Sequence, residues 1–92
     1  MNSIKVLLFA SLKERAGVSS IDVEIPDNAS VRDLKSVLAD RYPDLAPALD
    51  SALVSLNREF AFDEDLIPAQ AEAGIFPPVS GGSGFPTAQN IK

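Results

Sequence analysis

The chain has 92 residues and contains no cysteine, no histidine and no tryptophan. The missing cysteine excludes disulfides and thiol nucleophiles. The missing histidine excludes an imidazole base, a serine triad that needs one, and zinc sites built from Cys and His. A domain of this size must therefore be held together by ordinary packing. The composition argues against an enzyme that works alone and leaves open whether the chain is part of one.

Basic residues are also scarce, since 8 Lys and Arg stand against 13 Asp and Glu, for a net charge of −5. Clustered Lys and Arg side chains give proteins their affinity for phosphates, so we expect no nucleic-acid partner. The acidic triplet at residues 63–65 lacks the alternating oxygen ligands of a calcium loop, and we expect no metal site.

The apolar run from Ile4 to Ala10 is interrupted by Lys5. It is far shorter than the ~20 residues that a membrane-spanning helix needs. A small-residue cleavage site, which would mark a signal peptide, does not follow it. We therefore expect no membrane contact and a cytoplasmic protein.

Apolar spacing predicts five strands and three helices. The predicted strands are residues 4–10, 20–25, 53–56, 60–62 and 73–76, with a polar turn at 57–59. The predicted helices are residues 11–16, 31–41 and 43–49. The first strand is expected to be buried on both faces, because it is almost entirely apolar. This order predicts an α+β fold with one main helix packed across a sheet; whether the opening strands run parallel or antiparallel to the later ones stays open.

The helix at 31–41 carries the clearest local signal. Ser30 is a capping residue, and Asp33 lies near the positive end of the helix dipole. Apolar residues fall at helical spacing on one side, and Lys35 belongs to the polar side. Pro43 disfavours helical geometry at the residue before it, so the helix is expected to end near Arg41.

Composition divides the chain into three parts. Residues 1–78 have the makeup of one globular domain, and residues 79–82 hold a Gly-Gly segment. Residues 83–92 are dominated by Ser, Gly, Pro, Thr, Gln and Asn. We expect this last part to be a flexible extension.

The segment from Phe76 to Gly82 reads Phe-Pro-Pro-Val-Ser-Gly-Gly. Its prolines impose a stiff, extended start, and its glycines have no Cβ to clash with the walls of a narrow channel. Fully extended, residues 79–82 reach about 13–14 Å. Such a segment can present a backbone carbonyl deep inside another protein, although a bare Gly-Gly is more often a flexible linker.

Four stretches of this sequence together resemble the small subunits of molybdopterin synthases, which are sulfur carriers of the ubiquitin-like (β-grasp) family. The stretches are Ile4 to Ala10, Ala29 to Leu34, Val54 to Asn57, and Phe76 to Gly82. They cover residues 4–82 in the family's order and spacing, and the last is the most specific. The resemblance implies a β-grasp fold, in which one main helix packs across a mixed sheet.

The resemblance also implies a mechanism. In this family an E1-like activating enzyme uses ATP to adenylate the carboxylate of the terminal glycine, and sulfur then replaces one oxygen to give a thiocarboxylate. The terminus enters the active site of the large subunit and donates sulfur to the pterin precursor, which forms molybdopterin. Carried over to this sequence, Gly82 bears the sulfur and Gly81 is its slender neighbour. No cofactor is bound permanently.

The same resemblance implies an interface with the large subunit at three phenylalanines, Phe9, Phe60 and Phe76. The predicted interface continues along the tail through Pro77, Pro78, Val79 and Ser80. Core packing is the alternative for the three phenylalanines, because aromatic side chains suit both settings.

The sequence departs from the family in two places. Ala69, Gln70 and Ala71 replace the usual Asp-Gly turn before the last strand, so that loop is expected to differ. More importantly, ten residues follow Gly82, and its carbonyl is therefore part of an amide. We expect a protease to cut between Gly82 and Ser83 and to remove residues 83–92. The competing interpretation is a cloning remnant, or a carrier-like protein that no longer carries sulfur.

Two other functions stay open. The first is a sulfur carrier for thiamine or another pathway, or a ubiquitin-like modifier conjugated through Gly82. The second is a non-catalytic β-grasp interaction module whose tail docks on a partner. The ending at residues 76–82 and the additional segment 43–52 favour the molybdopterin branch.

Overall fold

The computed structural model describes residues 1–78, which form five strands and three α-helices. The predicted Gly-Gly segment and the extension after it lie outside the described residues. The elements are β1 (Asn2–Leu8), α1 (Ala10–Ala16), β2 (Ser20–Ile25), α2 (Val31–Arg41), a 3₁₀ turn (Pro43–Leu45), α3 (Ala46–Leu49), β3 (Leu53–Leu56), β4 (Glu59–Ala61) and β5 (Glu72–Phe76).

The five strands form one mixed sheet in the order β2-β1-β5-β3-β4. β1 is antiparallel to β2 and parallel to β5, and β5 is antiparallel to β3, which in turn is antiparallel to β4. The parallel pairing of the first and last strands settles the direction that the sequence pattern left open. The α+β architecture and its β-grasp arrangement are confirmed.

Helix α2 has the bounds that its local signals predict. The Ser30 hydroxyl accepts the Asp33 backbone N–H at 3.3 Å, and the Asp33 carboxylate accepts the Ser30 N–H at 3.0 Å, which completes a capping box. Leu34 and Leu38 are fully buried. The helix ends at Arg41, and Tyr42, the residue before Pro43, no longer has helical geometry.

Lys35 was predicted to lie on the polar side of this helix, but its side chain is largely covered. Its side chain is only 11% exposed, because its ammonium lies 2.9 Å from an oxygen of Asp63 and donates to the carbonyl of Ala52 at 3.1 Å. The aliphatic stem is therefore covered, while the charge is paired. Lys35 ties the middle of α2 to the start of β3 and to the loop after β4.

The prediction that β1 is buried on both faces is wrong. Burial alternates along the strand: Ile4, Val6 and Leu8 face the core, whereas Lys5 is exposed and Leu7 is half-buried. Within residues 1–78, the helices cover one face of the sheet and leave the other face open. β1 also ends earlier than predicted, since α1 already begins at Ala10, whose φ is 53°.

The turn between β3 and β4 is one residue shorter than predicted. Asn57 and Arg58 alone form it, with φ values of 51° and 74°, as a two-residue type I′ hairpin requires. Glu59 already pairs with Leu56, so β4 begins there. The register places Phe60 opposite Ser55, on the open face.

The turn that departs from the family pattern closes around a buried asparagine. The Ala71 N–H donates to the Pro68 carbonyl at 3.3 Å, and Gln70 has a φ of 57°, a conformation that favours glycine. Asn2, 6% exposed, donates from its amide nitrogen to the Pro68 carbonyl at 3.0 Å. Its amide oxygen accepts the Gln70 N–H at 2.7 Å. These two bonds hold the turn without a glycine.

The remaining predictions need small changes. The predicted helix at 43–49 is a 3₁₀ turn followed by α3, with Pro47 tolerated in the first turn of α3. The last strand starts one residue earlier than predicted, at Glu72. Within residues 1–78, no helix is long and apolar enough to cross a bilayer.

Candidate functional site: an aromatic face next to the carrier tail

The open face of the sheet brings together the three phenylalanines that the sequence singled out. Phe9 follows β1, Phe60 lies in β4 and Phe76 ends β5. Phe60 is 73% exposed and Phe9 38% exposed, and Phe76 is half-buried. Core packing does not account for them, because all three lie outside the buried cluster between the sheet and the helices. Their role at an interface stays a prediction.

Phe76 is the central ring of this group. It stacks on Phe9 with ring centroids 4.6 Å apart and planes within 1° of parallel. Phe60 approaches it from the other side at 6.1 Å, tilted by 56°. Both distances are in the range at which aromatic rings attract one another. The Phe9 N–H also donates to the Ile75 carbonyl at 3.2 Å, which fixes the backbone on which its ring is carried.

The rings border an open cleft of about 450 Å³. Its lining residues come from four strands, the segment after β1 and the β3–β4 turn: Leu7, Phe9, Ser55, Arg58, Phe60, Glu72, Gly74 and Phe76. Three of the eight are polar, Ser55, Arg58 and Glu72. A mostly apolar, solvent-exposed cleft with a few polar groups is typical of a surface that binds another protein or an apolar ligand.

The cleft residues that sequence reasoning missed lie mostly in one row across the sheet. Leu7 pairs with Gly74, Gly74 with Ser55, and Ser55 with Phe60. In the sequence, Gly74 is the residue that could have indicated this row, because a glycine inside a strand often marks a close approach of another group. Arg58 enters the cleft from the hairpin turn, a position that only the register of β3 and β4 reveals.

The apolar surface extends beyond the cleft. Leu53 is 44% exposed and pairs with Phe76 in the sheet, and Phe62 is 77% exposed. Leu53 and Phe62 line a neighbouring surface depression together. That depression also includes Lys35, Asp63 and Glu64, so the apolar surface ends there against charged side chains.

The tail starts at the aromatic cleft. Phe76 is both the last residue of β5 and a wall of the cleft, and Pro77 and Pro78 follow it directly. The other predicted tail residues, Val79, Ser80, Gly81, Gly82 and the cleavage partner Ser83, lie outside the described residues. Their roles stay predictions, and what the structure adds is the point from which the tail leaves.

Comparisons with known proteins identify the relatives of this chain. The family model described as the ThiS family matches residues 6–82. A molybdopterin synthase sulfur carrier subunit from Dictyostelium discoideum is 38% identical over 84 residues, which are 88% of this chain and 98% of the relative. One from Arabidopsis thaliana is 32% identical over 79 residues, 86% of this chain and 82% of the relative.

A solved structure shows the same fold. The crystal structure of small archaeal modifier protein 1 from Haloferax volcanii superposes with a TM-score of 0.76 at 32% identity and covers 88% of this chain and 100% of that one. The match to the family model spans β1 to the Gly-Gly segment, so it includes both the aromatic face and the tail. The resemblance to molybdopterin synthase small subunits is confirmed, and the chain belongs to the ThiS family.

Proposed function

We propose that this chain is the sulfur carrier subunit of a molybdopterin synthase and acts in molybdenum cofactor biosynthesis. The names of the Dictyostelium and Arabidopsis relatives support this function, and the chain spans most of the length of both. A subunit implies a partner chain. The partner in this proposal is the large subunit of the synthase.

The observation that carries the proposal is the continuity of the aromatic face with the tail. Phe76 belongs to both, because its ring stacks on Phe9 and its backbone leads into Pro77 and Pro78. A large subunit that covers the aromatic face therefore receives the tail at a fixed starting point. Residues 79–82 then reach about 13–14 Å into its active site.

The chemistry takes place at the carboxylate of Gly82. An E1-like activating enzyme supplies ATP, a carboxylate oxygen attacks the α-phosphorus, and pyrophosphate leaves. Sulfur at the oxidation level of hydrosulfide then attacks the carbonyl carbon and displaces AMP, which leaves a thiocarboxylate without any change in oxidation state. The thiocarboxylate sulfur then bonds to a carbon of the pterin precursor, and water hydrolyses the resulting thioester, which leaves the sulfur on the pterin and returns Gly82 to a carboxylate. Because ATP is consumed by the activating enzyme, the carrier needs no permanently bound cofactor. We place the action of the carrier in the cytoplasm.

Processing has to precede this chemistry. Ser83 follows Gly82 in the encoded chain, so the Gly82 carbonyl starts as an amide. The ten further residues add up to about 33–36 Å of extended chain, too much for a pocket built around a terminus. A protease that cuts between Gly82 and Ser83 is therefore part of the proposal.

A second candidate function is conjugation to other proteins. The similarity to small archaeal modifier protein 1 favours it, since that protein is named a modifier and has the same fold. An adenylated Gly82 would then acylate a lysine amine of a target, with loss of AMP. A mass increase of target proteins by one carrier chain, linked at a lysine, would identify this outcome.

The experiment that tests the leading proposal is complementation. The chain ending at Gly82 is expressed in cells that lack their own small subunit, together with its cognate large subunit, and molybdoenzyme activity is measured. We expect activity to return. The matched control ends at Gly81, which shortens the reach by one residue, and is expected to be inactive. Equal activity of both forms would contradict the proposal.

A further inference from the structure

Gly74 lies inside β5 on the open face, at a position where a glycine is unfavourable for the strand itself. Glycine in a strand interior loses more chain entropy on folding than other residues and contributes no side chain to packing. Its backbone does not have a positive φ, the conformation that would require glycine. Among the glycines of residues 1–78, that conformation is found at Gly17. The reason for a glycine must therefore be space.

The space above Gly74 is filled by two aromatic rings and a hydroxyl. A Cβ placed on Gly74 would lie 2.7 Å from the Ser55 hydroxyl oxygen, 3.3 Å from a ring carbon of Phe76 and 3.3 Å from a ring carbon of Phe9. Gly74 is buried although it faces the open side of the sheet, because these groups cover it. The stacked pair thus lies directly on the backbone of β5.

We propose that Gly74 is a positioning residue whose missing side chain gives the open face the shape that binds the large subunit. This inference rests on the proposed function. The missing side chain lets the Phe9–Phe76 pair lie close to the sheet and keeps the floor of the cleft open as far as Phe60. The occupant is an apolar side chain of the large subunit, because five of the eight lining residues are apolar and the cleft is continuous with the start of the tail.

An alanine at position 74 changes the shape of the face while the fold survives. The Ser55 hydroxyl can turn away from the new methyl group by changing its rotamer. The two rings stack on each other and are partly exposed, so we expect them to move outward together by a few tenths of an ångström. The strand itself gains from the replacement of glycine. Binding is therefore expected to suffer more than stability.

The test measures the dissociation constant of the full chain for the cognate large subunit, together with the melting temperature of the free chain. For Gly74→Ala we expect binding to weaken by about tenfold, within the range that an added methyl group costs in a tightly packed contact. The double variant Gly74→Ala with Ser55→Ala removes the oxygen at 2.7 Å and leaves both ring contacts in place. It is expected to recover any lost melting temperature while binding stays weak.

Gly17→Ala is the matched control. Gly17 has a φ of 80°, and a Cβ added to it would have no neighbouring atom within 4 Å, so the substitution strains the backbone without touching the open face. It is expected to lower the melting temperature and to leave the dissociation constant unchanged. This separates loss of stability from loss of the binding surface.

The outcomes also separate this inference from the function on which it rests. If Phe60→Ala weakens binding and Gly74→Ala does not, the role of Gly74 is overturned and the interface stands. If neither variant changes the dissociation constant, the interface itself is overturned. If the double variant restores binding, the effect passes through Ser55 and not through the rings, and the inference fails.

Discussion

The rings of Phe9 and Phe76 stack in parallel on the open face of the sheet, with their centroids 4.6 Å apart. Phe9 directly follows the first strand and Phe76 ends the last one, so the pair joins two neighbouring, parallel strands at the point where the tail begins. Phe9 is 38% exposed and Phe76 is half-buried, so part of each ring stays open to solvent. The same contact therefore lies at the residue from which the tail leaves and forms a wall of the cleft.

The first prediction concerns Phe60, the most exposed of the three rings. Phe60→Ala is expected to weaken binding to the large subunit by about tenfold or more, as the loss of an aromatic anchor does at other interfaces. The melting temperature should change little, because a ring that is 73% exposed contributes little buried area. Calorimetric titration and a thermal melt measure the two quantities.

Leu66→Ala is the control for this variant. Leu66 is 65% exposed but lies outside the lining of the cleft, opposite Ser30 at the start of α2. Binding should be unaffected by its loss. An equal loss of affinity in both variants would mean that exposed apolar area in general, and not the aromatic face, drives association.

The second prediction concerns the buried amide of Asn2. Asn2→Ala leaves the Pro68 carbonyl and the Gln70 N–H without their partner, which is expected to cost about 1–3 kcal/mol of unfolding free energy. Urea denaturation followed by circular dichroism measures this cost. The neighbouring exposed Ser3→Ala should stay within about 0.5 kcal/mol of the parent chain. A neutral Asn2→Ala would show that water satisfies the turn equally well.

The third prediction compares two ion pairs between α2 and the loop after β4. The pair of Lys35 with Asp63 is largely covered, whereas the pair of Arg32 with Glu64, at 3.0 Å, is exposed on both sides. We expect a double-mutant cycle with Lys35→Met and Asp63→Asn to give a coupling of about 1 kcal/mol. The corresponding cycle for Arg32 and Glu64 should give no more than about 0.5 kcal/mol.

Salt distinguishes the two pairs further. The exposed coupling should disappear at high ionic strength, because mobile ions screen charges that face water. The Lys35 coupling should persist, since its ammonium is sheltered and also binds the Ala52 carbonyl. Equal couplings with equal salt dependence would contradict the burial of Lys35.

The fourth prediction concerns the terminus. In the chain that ends at position 82, Gly82→Leu is expected to abolish sulfur transfer while circular dichroism and the melting temperature stay unchanged. The physical reason is that a bulky side chain does not pass through a channel that admits glycine, whereas the domain of residues 1–78 does not depend on it. Full activity of this variant would contradict the assignment of Gly82.

Much of the fold was predictable because its signals are local. The capping box at Ser30 and Asp33 and the stop before Pro43 lie within a few residues of the helix ends that they define. The family's motif at the tail is likewise contiguous. Lys35 shows the limit, because its partners at positions 52 and 63 come together with it only in the folded chain.

The incorrect prediction for β1 has a physical explanation. An apolar run indicates that both faces of a strand are covered, but it does not identify what covers them. Within residues 1–78 the helices cover one face, and Leu7 lies on the other, in the cleft with Phe9. The proposed large subunit would supply the missing cover. Gly74 was overlooked for a related reason, since two of the three groups above it, the Ser55 hydroxyl and the Phe9 ring, come from distant parts of the chain.

The most direct test of the central claim, that this chain carries sulfur on Gly82, is the intact mass of the protein isolated from its native cells. We expect a chain that ends at Gly82, with a fraction heavier by the difference between one sulfur and one oxygen atom. Treatment with an alkylating reagent should shift only this fraction, because the chain has no cysteine. A sulfur-charged, active species that still contains residues 83–92 would contradict the account.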